Sequence, residues 1–138
     1  MKLLKQLFKR STDTHPNQER GALGEAAAAQ HLKKSGLKIL VKRYRCRYGE
    51  IDLVARDKDT LVFIEVKTRE STEYGEPFHA VTEEKQKHFS RVALDYLRKL
   101  RNPRIPVRFD IVEVISDGDL YECQHTPNAF SLSEPYLY

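Results

Sequence analysis

Gly49-Glu50-Ile51-Asp52-Leu53-Val54-Ala55-Arg56-Asp57-Lys58-Asp59-Thr60-Leu61-Val62-Phe63-Ile64-Glu65-Val66-Lys67 is the stretch on which the fold turns. Its first residues alternate acidic and apolar side chains, which at a strand's two-residue period puts Glu50 and Asp52 on one face and Ile51 and Leu53 on the other. Residues 56–60 are polar and turn-forming. Residues 61–67 are a second apolar run, rich in β-branched side chains. Together they predict a hairpin. On its second arm Glu65 and Lys67 share a face, about 7 Å apart by strand rise, while Val62, Ile64 and Val66 point to the other.

Acidic residues and a lysine at a strand end are usually solvated charge, and Glu-x-Lys by itself occurs by chance in many chains. A carboxylate on one arm and a carboxylate with a lysine on the next, flanked by buried-type strands, is a more specific arrangement. Phosphodiester hydrolysis calls for a hard cation that neutralises the phosphate and lowers the pKa of the attacking water, and magnesium accepts few protein carboxylates while keeping several waters. Asp52 and Glu65 are of the type to hold magnesium or manganese. Lys67 is of the type to orient or deprotonate the water, or to neutralise charge in the transition state. Glu50, on the face of Asp52, is a further ligand candidate, or else the ion-pair partner of Arg45 or Arg47.

Upstream of the hairpin, Lys38, Lys42, Arg43, Arg45 and Arg47 interleave with Leu37, Ile39, Val41, Tyr44, Cys46 and Tyr48, which predicts a strand with a basic face. Such a face either guards a sheet edge against aggregation or holds phosphate oxygens. Residues 21–35 are alanine-rich and predict a helix that Gly36 terminates. On it Glu25 reads either as a first-turn carboxylate favoured by the helix dipole or as a metal-site acid. Gly21 and Gly24 follow a polar segment where a phosphate loop would follow a strand, so close helix packing is the simpler account.

Downstream, residues 68–80, with Arg69, Gly75 and Pro77, read as a loop beside the site that could gate it. A second helix runs from Thr82 or Glu83 to Leu100, with Thr82 as N-cap and Phe89, Val92, Ala93, Tyr96, Leu97 and Leu100 as its apolar stripe. Lys85, Lys87, His88, Arg91, Arg98, Lys99 and Arg101 lie off that stripe, which by default serves solubility. A strand over residues 107–115 and a turn over 116–119 follow. Nothing local makes Asp110 and Glu113 ligands, and the closing stretch with His125, Asn128 and Phe130 reads as an irregular tail or short strand.

The chain has 138 residues, enough for one ordinary domain, and a formal charge of +4. That surplus points to nucleic acid only where it clusters, as it does before the hairpin. Residues 1–10 combine Leu3, Leu4, Leu7 and Phe8 with Lys2, Lys5, Lys9 and Arg10. The run is too short for a signal sequence or a membrane span, so a cytoplasmic protein without membrane contact is expected. Cys46 and Cys123 have neither zinc spacing nor a disulfide partner pattern.

Residues 49–53 followed by 63–67, with Gly21 to Glu25, Gly75, Pro77, Thr82, Lys85, Asn128, Ala129 and Phe130, resemble the YraN-like family of small bacterial proteins. That family is itself similar to the PD-(D/E)XK nucleases and archaeal Holliday-junction resolvases. The resemblance implies an α/β domain with a restriction-endonuclease-like core, a mixed β-sheet flanked by helices, over residues 21–138, after a flexible basic extension over 1–20. It implies catalysis by Asp52, Glu65 and Lys67, and it places Glu25 on the helical acid of the resolvases. Where the nuclease superfamily has a proline before the aspartate, this chain has Ile51. The expected activity is hydrolysis of DNA at branched or otherwise non-regular structures, with RNA left open. Lys42, Arg43, Arg45, Arg47, Arg69 and Lys85 are the expected nucleic-acid contacts, and symmetric cutting would require a homodimer. The alternatives are a binding module that has kept the site without cleaving, and a scaffold for an acidic protein partner.

Overall fold

Five strands and two helices follow one another in the computed structural model, which describes residues 16–70, 81–101 and 104–131, with side chains from residue 21 onward. The order is α1 (Pro16–Lys34), β1 (Lys38–Cys46), β2 (Gly49–Asp57), β3 (Thr60–Glu70), α2 (Glu83–Leu100), β4 (Val107–Asp117) and β5 (Leu120–Phe130). In space the strands keep that order. All neighbours are antiparallel except β3 and β4, which are parallel. A parallel pair needs a long crossover, and α2 lies within it.

Each helix buries its apolar stripe on one face of the sheet. Ala28, Ala29 and Leu32 of α1 pack with Leu53, Ala55, Val62, Ile64, Val112 and Val114. Val92, Ala93 and Leu97 of α2 pack with Ile51, Val54, Leu61, Phe63 and Phe109. The result is a mixed sheet between two helices, an architecture compatible with a restriction-endonuclease-like core. Leu100, expected on the stripe of α2, is 40% exposed at the helix end.

The helix ends are set by local chemistry. After α1, Gly36 adopts φ +99° and Leu37 N–H returns to Leu32 O at 3.0 Å, the bond that closes a left-handed helix cap. Leu32 and Leu37, both buried, join the same core cluster and fix the exit. At the start of α2, Thr82 Oγ1 accepts the Lys85 N–H at 3.2 Å, as an N-cap does.

Several sequence expectations are corrected. Residues 16–20, expected within a flexible extension, are the first turns of α1. Thr68, Arg69 and Glu70, expected in a loop, extend β3, because the parallel ladder with β4 continues as far as Glu70–Ser116. The closing stretch is an eleven-residue strand, β5. Residues 1–15, and residues 71–80 where a loop with Gly75 and Pro77 is expected, lie outside the described residues.

Gly24 explains how closely α1 approaches β3. A Cβ there would lie 1.9 Å from Thr68 Oγ1, whereas one at Gly21 would meet nothing within 4 Å. Gly21→Ala is therefore expected to stabilise the fold by about 0.5–1 kcal/mol through helix propensity. Gly24→Ala is expected to destabilise it by about 1–3 kcal/mol through overpacking. Urea melts of the two variants check this, and a gain from both would show that α1 is not tightly seated on Thr68.

Candidate functional site

The hydrogen-bonded register of β2 and β3 runs from Asp57–Thr60 to Leu53–Ile64 and stops. One residue beyond, Asp52 Oδ2 accepts the Val66 N–H at 2.8 Å, so a side-chain carboxylate stands where a ladder carbonyl would. On the other edge of β2 the register passes from Lys42–Leu53 to Tyr44–Ile51, and the intervening Arg43 has φ +54°. Both strands jog together at Arg43 and Asp52. Ile51 therefore packs on the α2 side and Leu53 on the α1 side, which corrects the expectation that they share a face. The alternation expected on β3 holds at its apolar positions, where Val62, Ile64 and Val66 pack on the α1 side.

The carboxylates singled out from the sequence come into mutual electrostatic reach. Glu25, Glu65 and Glu50 each raise the pKa of Asp52. Burial is the largest cause, the Val66 N–H opposes it, and Asp52 is pushed from its ordinary 3.8 up to about 6. The other three are held by basic side chains that the sequence had assigned to phosphate. Arg43 Nε lies 2.9 Å from Glu25 Oε2, Arg45 Nε 3.1 Å from Glu50 Oε2, and Lys85 Nζ 3.7 Å from Glu65 Oε1. Arg43 is raised above its ordinary range, first by its hydrogen bond to Glu25.

Glu65 has one further feature. Its Oε2 is buried and has no hydrogen-bond partner in the structure, an arrangement that burial normally penalises. An oxygen donor of this kind, near a half-buried Asp52 whose pKa is raised, is of a type that suits a hard cation. Among the described residues no three His, Cys, Asp or Glu side chains stand together so as to hold a metal ion. Asp52 and Glu65 are the two that would hold one.

The remaining predicted residues are placed as follows. Lys67 is half-buried and sits beside Glu113 in the parallel register. Arg69 is bound to Glu113 at 2.6 Å. Lys42 is exposed, and Arg47 lies over the Tyr48 ring at the tip of the β1–β2 hairpin. Glu113, read from the sequence as a strand charge that nothing local makes a ligand, is 6% exposed and paired with Arg69.

Asp110, read in the same way, is 1% exposed. It accepts from Arg108 Nε at 3.0 Å and from Asn128 N–H at 2.9 Å, and it lies 2.7 Å from His125 Nε2. Arg108 also reaches Asp57 at 2.8 Å. Burial pushes Asp110 up, but His125, Arg108 and the Asn128 N–H outweigh it and hold the group below the ordinary carboxylate range.

The family model described as "Uncharacterised protein family UPF0102" matches residues 24–114. A UPF0102 protein of Geobacter metallireducens is 45% identical over 117 residues, covering 85% of this chain and 96% of the relative. One from Symbiobacterium thermophilum is 48% identical over 112 residues, covering 80% and 94%. One from Geotalea daltonii is 40% identical over 125 residues, covering 90% and 98%.

The raised Asp52 has a defined effect on stability. In metal-free protein the folded state binds more protons than the unfolded state between pH 3.8 and about 6, so ionising Asp52 costs stability progressively across that window and fully above it. Asn at this position keeps an acceptor for Val66 N–H and removes the charge. Asp52→Asn is expected to stabilise metal-free protein by about 1–3 kcal/mol at pH 7.5, and not at pH 3.8. Thermal melts in EDTA across pH 3.5–8 test it, and a gain independent of pH would separate the effect from Asp52 ionisation.

Proposed function

The chain belongs to the uncharacterised protein family UPF0102, and from the setting of Asp52, Glu65 and Lys67 we propose that it is a divalent-metal-dependent nuclease acting on DNA. The observation that carries this reading is the pair of half-buried carboxylates on neighbouring strands, Asp52 raised by burial and acidic neighbours and Glu65 with one buried oxygen lacking a donor, with Lys67 two residues beyond the second. Structured or branched DNA is the proposed substrate, and a symmetric cut would take two copies of the chain.

Asp52 and Glu65 are the residues that would hold magnesium or manganese, with Glu25 and Glu50 as outer candidates. Such an ion, when bound, supplies Lewis acidity to the phosphate and lowers the pKa of water. Lys67 donates from Nζ to the attacking water or to a phosphate oxygen, which orients the one or neutralises charge on the other. Asp52 is held in place by the Val66 N–H. Arg43, Arg45 and Lys85, now paired with acids of the site, exchange those partners for phosphate oxygens. Lys85 is the side chain that would be freed where Glu65 held a cation, and Arg43 and Arg45 would be freed only where Glu25 and Glu50 took part as well.

The three ion pairs also favour a second reading, a module that binds nucleic acid without cleaving it, since they neutralise much of the site. Cleavage of labelled duplex, flap, four-way-junction and single-stranded DNA with magnesium or manganese separates the two. A nuclease loses at least about 100-fold in rate in Asp52→Ala and in Lys67→Ala while keeping much of its affinity. Retained binding with no wild-type cleavage of any substrate would leave the binding module.

Partner exchange makes its own prediction. In Lys67→Ala, taken as non-cleaving, magnesium is expected to tighten DNA binding by about 5-fold or more. The gain should vanish in Asp52→Ala/Lys67→Ala. Anisotropy titrations measure it, and equal effects of magnesium on both variants would show that the ion acts on the DNA alone.

A further inference from the structure

The off-stripe cations of α2 are not evenly solvated. Lys85, His88, Arg91 and Leu94 succeed one another at three-residue intervals, a row that follows one ridge of a helix, and Arg98 lies four further on. The row begins at the candidate site, where Lys85 meets Glu65. His88 lies against the β1–β2 hairpin so closely that a Cβ on Gly49 would be 2.1 Å from its Nε2. Beyond it, Arg91, Leu94 and Arg98 line an open cleft whose other wall is Tyr48.

Tyr48 carries a guanidinium of its own. Arg47 stands 4.7 Å from the ring centroid and hydrogen-bonds the hydroxyl. Arg47, and to a smaller degree Arg98, hold that hydroxyl below its ordinary range. Arg91 and Arg98 are exposed, and Leu94 and Tyr48 half-buried. The cleft is thus a recess walled by Leu94 and the Tyr48 ring and edged by two arginines, reached from the carboxylates along one helix ridge.

We propose that the cleft between Tyr48 and the Arg91–Leu94–Arg98 segment of α2 is a phosphate subsite for the nucleic-acid strand flanking the reacting phosphodiester. This deepens the proposed function and rests on it for the ligand. Helix rise puts Arg91 and Arg98 about 9 and 20 Å along the axis from Lys85. At about 3.4 Å per nucleotide of a duplex strand, that is three to six nucleotides from the site. Arginine suits the role because its planar fork grips phosphate in a fixed orientation. Phosphate contacts fix register without reading sequence.

The test is binding of a fluorescein-labelled 20-base-pair duplex in EDTA, followed by anisotropy from 50 to 200 mM salt. It compares wild type, Arg91→Ala/Arg98→Ala and, as an equal charge change on exposed residues of α1, Lys33→Ala/Lys34→Ala. The arginine pair is expected to weaken binding at 100 mM salt about 10-fold and to reduce the slope of log K against log salt by about 1–2, with the lysine pair close to wild type. An unchanged slope in the arginine pair, or an equal loss in the lysine pair, overturns the subsite. Undiminished DNA binding by the arginine pair would hand the cleft to an acidic protein partner, and no wild-type binding at 50 mM salt overturns the inference outright. Wild-type binding with the predicted slope change but no cleavage under magnesium would overturn the nuclease and leave the subsite standing.

Discussion

The Val66 N–H sits where the β2–β3 ladder has just ended, and the structure depends on what accepts its proton. A strand N–H left unpaired in a sheet interior costs free energy comparable to a lost hydrogen bond. Here the acceptor is the carboxylate of Asp52 rather than a carbonyl, which lets the β2 backbone leave β3 without stranding that donor. The departure is matched on β1 by Arg43 at positive φ, a conformation that costs a non-glycine residue about 1–2 kcal/mol. Arg43 in that conformation reaches Glu25 on α1. One backbone irregularity thus seats Asp52 against β3 and ties the first helix to the same place.

Charge then organises what the kink brings together. Glu25, Glu50 and Glu65 come from a helix and two strands, and each meets a cation from a different element. All three pairs are exposed on their basic side, where an ion pair is worth little, about 0–1 kcal/mol. They add little stability, which is why the proposed function can have them exchange their acids for phosphate. Asp52 differs, being bonded to backbone and raised by burial and by its three acidic neighbours.

The sequence carried the parts of this that obey a period. The hairpin, the alternation of Val62, Ile64 and Val66, the stripe of α2 and the Gly36 stop were legible because side-chain alternation, helical spacing and a terminal glycine are local signals. The jog at Asp52 was not. It moves Ile51 and Leu53 to opposite sides, and its pivot, Arg43, is a residue type that gives no warning of positive φ. The strand β5 was obscured by Pro127, which argues against a strand interior but is tolerated at an edge. Its register with β4 breaks between Phe109–Phe130 and Ile111–Thr126, where Asn128 turns to positive φ and gives its N–H to Asp110. The pairing of Glu50 with Arg45, five residues away, was one of the two readings the sequence offered, whereas the pairings of Glu25 with Arg43 and of Glu65 with Lys85 join elements farther apart and had no local signature.

Asp110 and Glu113 sharpen the meaning of Asp52 and Glu65. All four carboxylates belong to one sheet and are buried or half-buried, so the fold deals with the same desolvation problem four times. Asp110 receives Arg108, His125 and a backbone N–H and is held below its ordinary range, and Glu113 receives Arg69 at 2.6 Å. Asp110 thus has donors from several elements, whereas Asp52 is pushed up to about 6 and Glu65 keeps a buried oxygen with no donor. That contrast within one sheet is what supports the proposal of a divalent cation at Asp52 and Glu65, because oxygen donors left short of partners suit a hard ion.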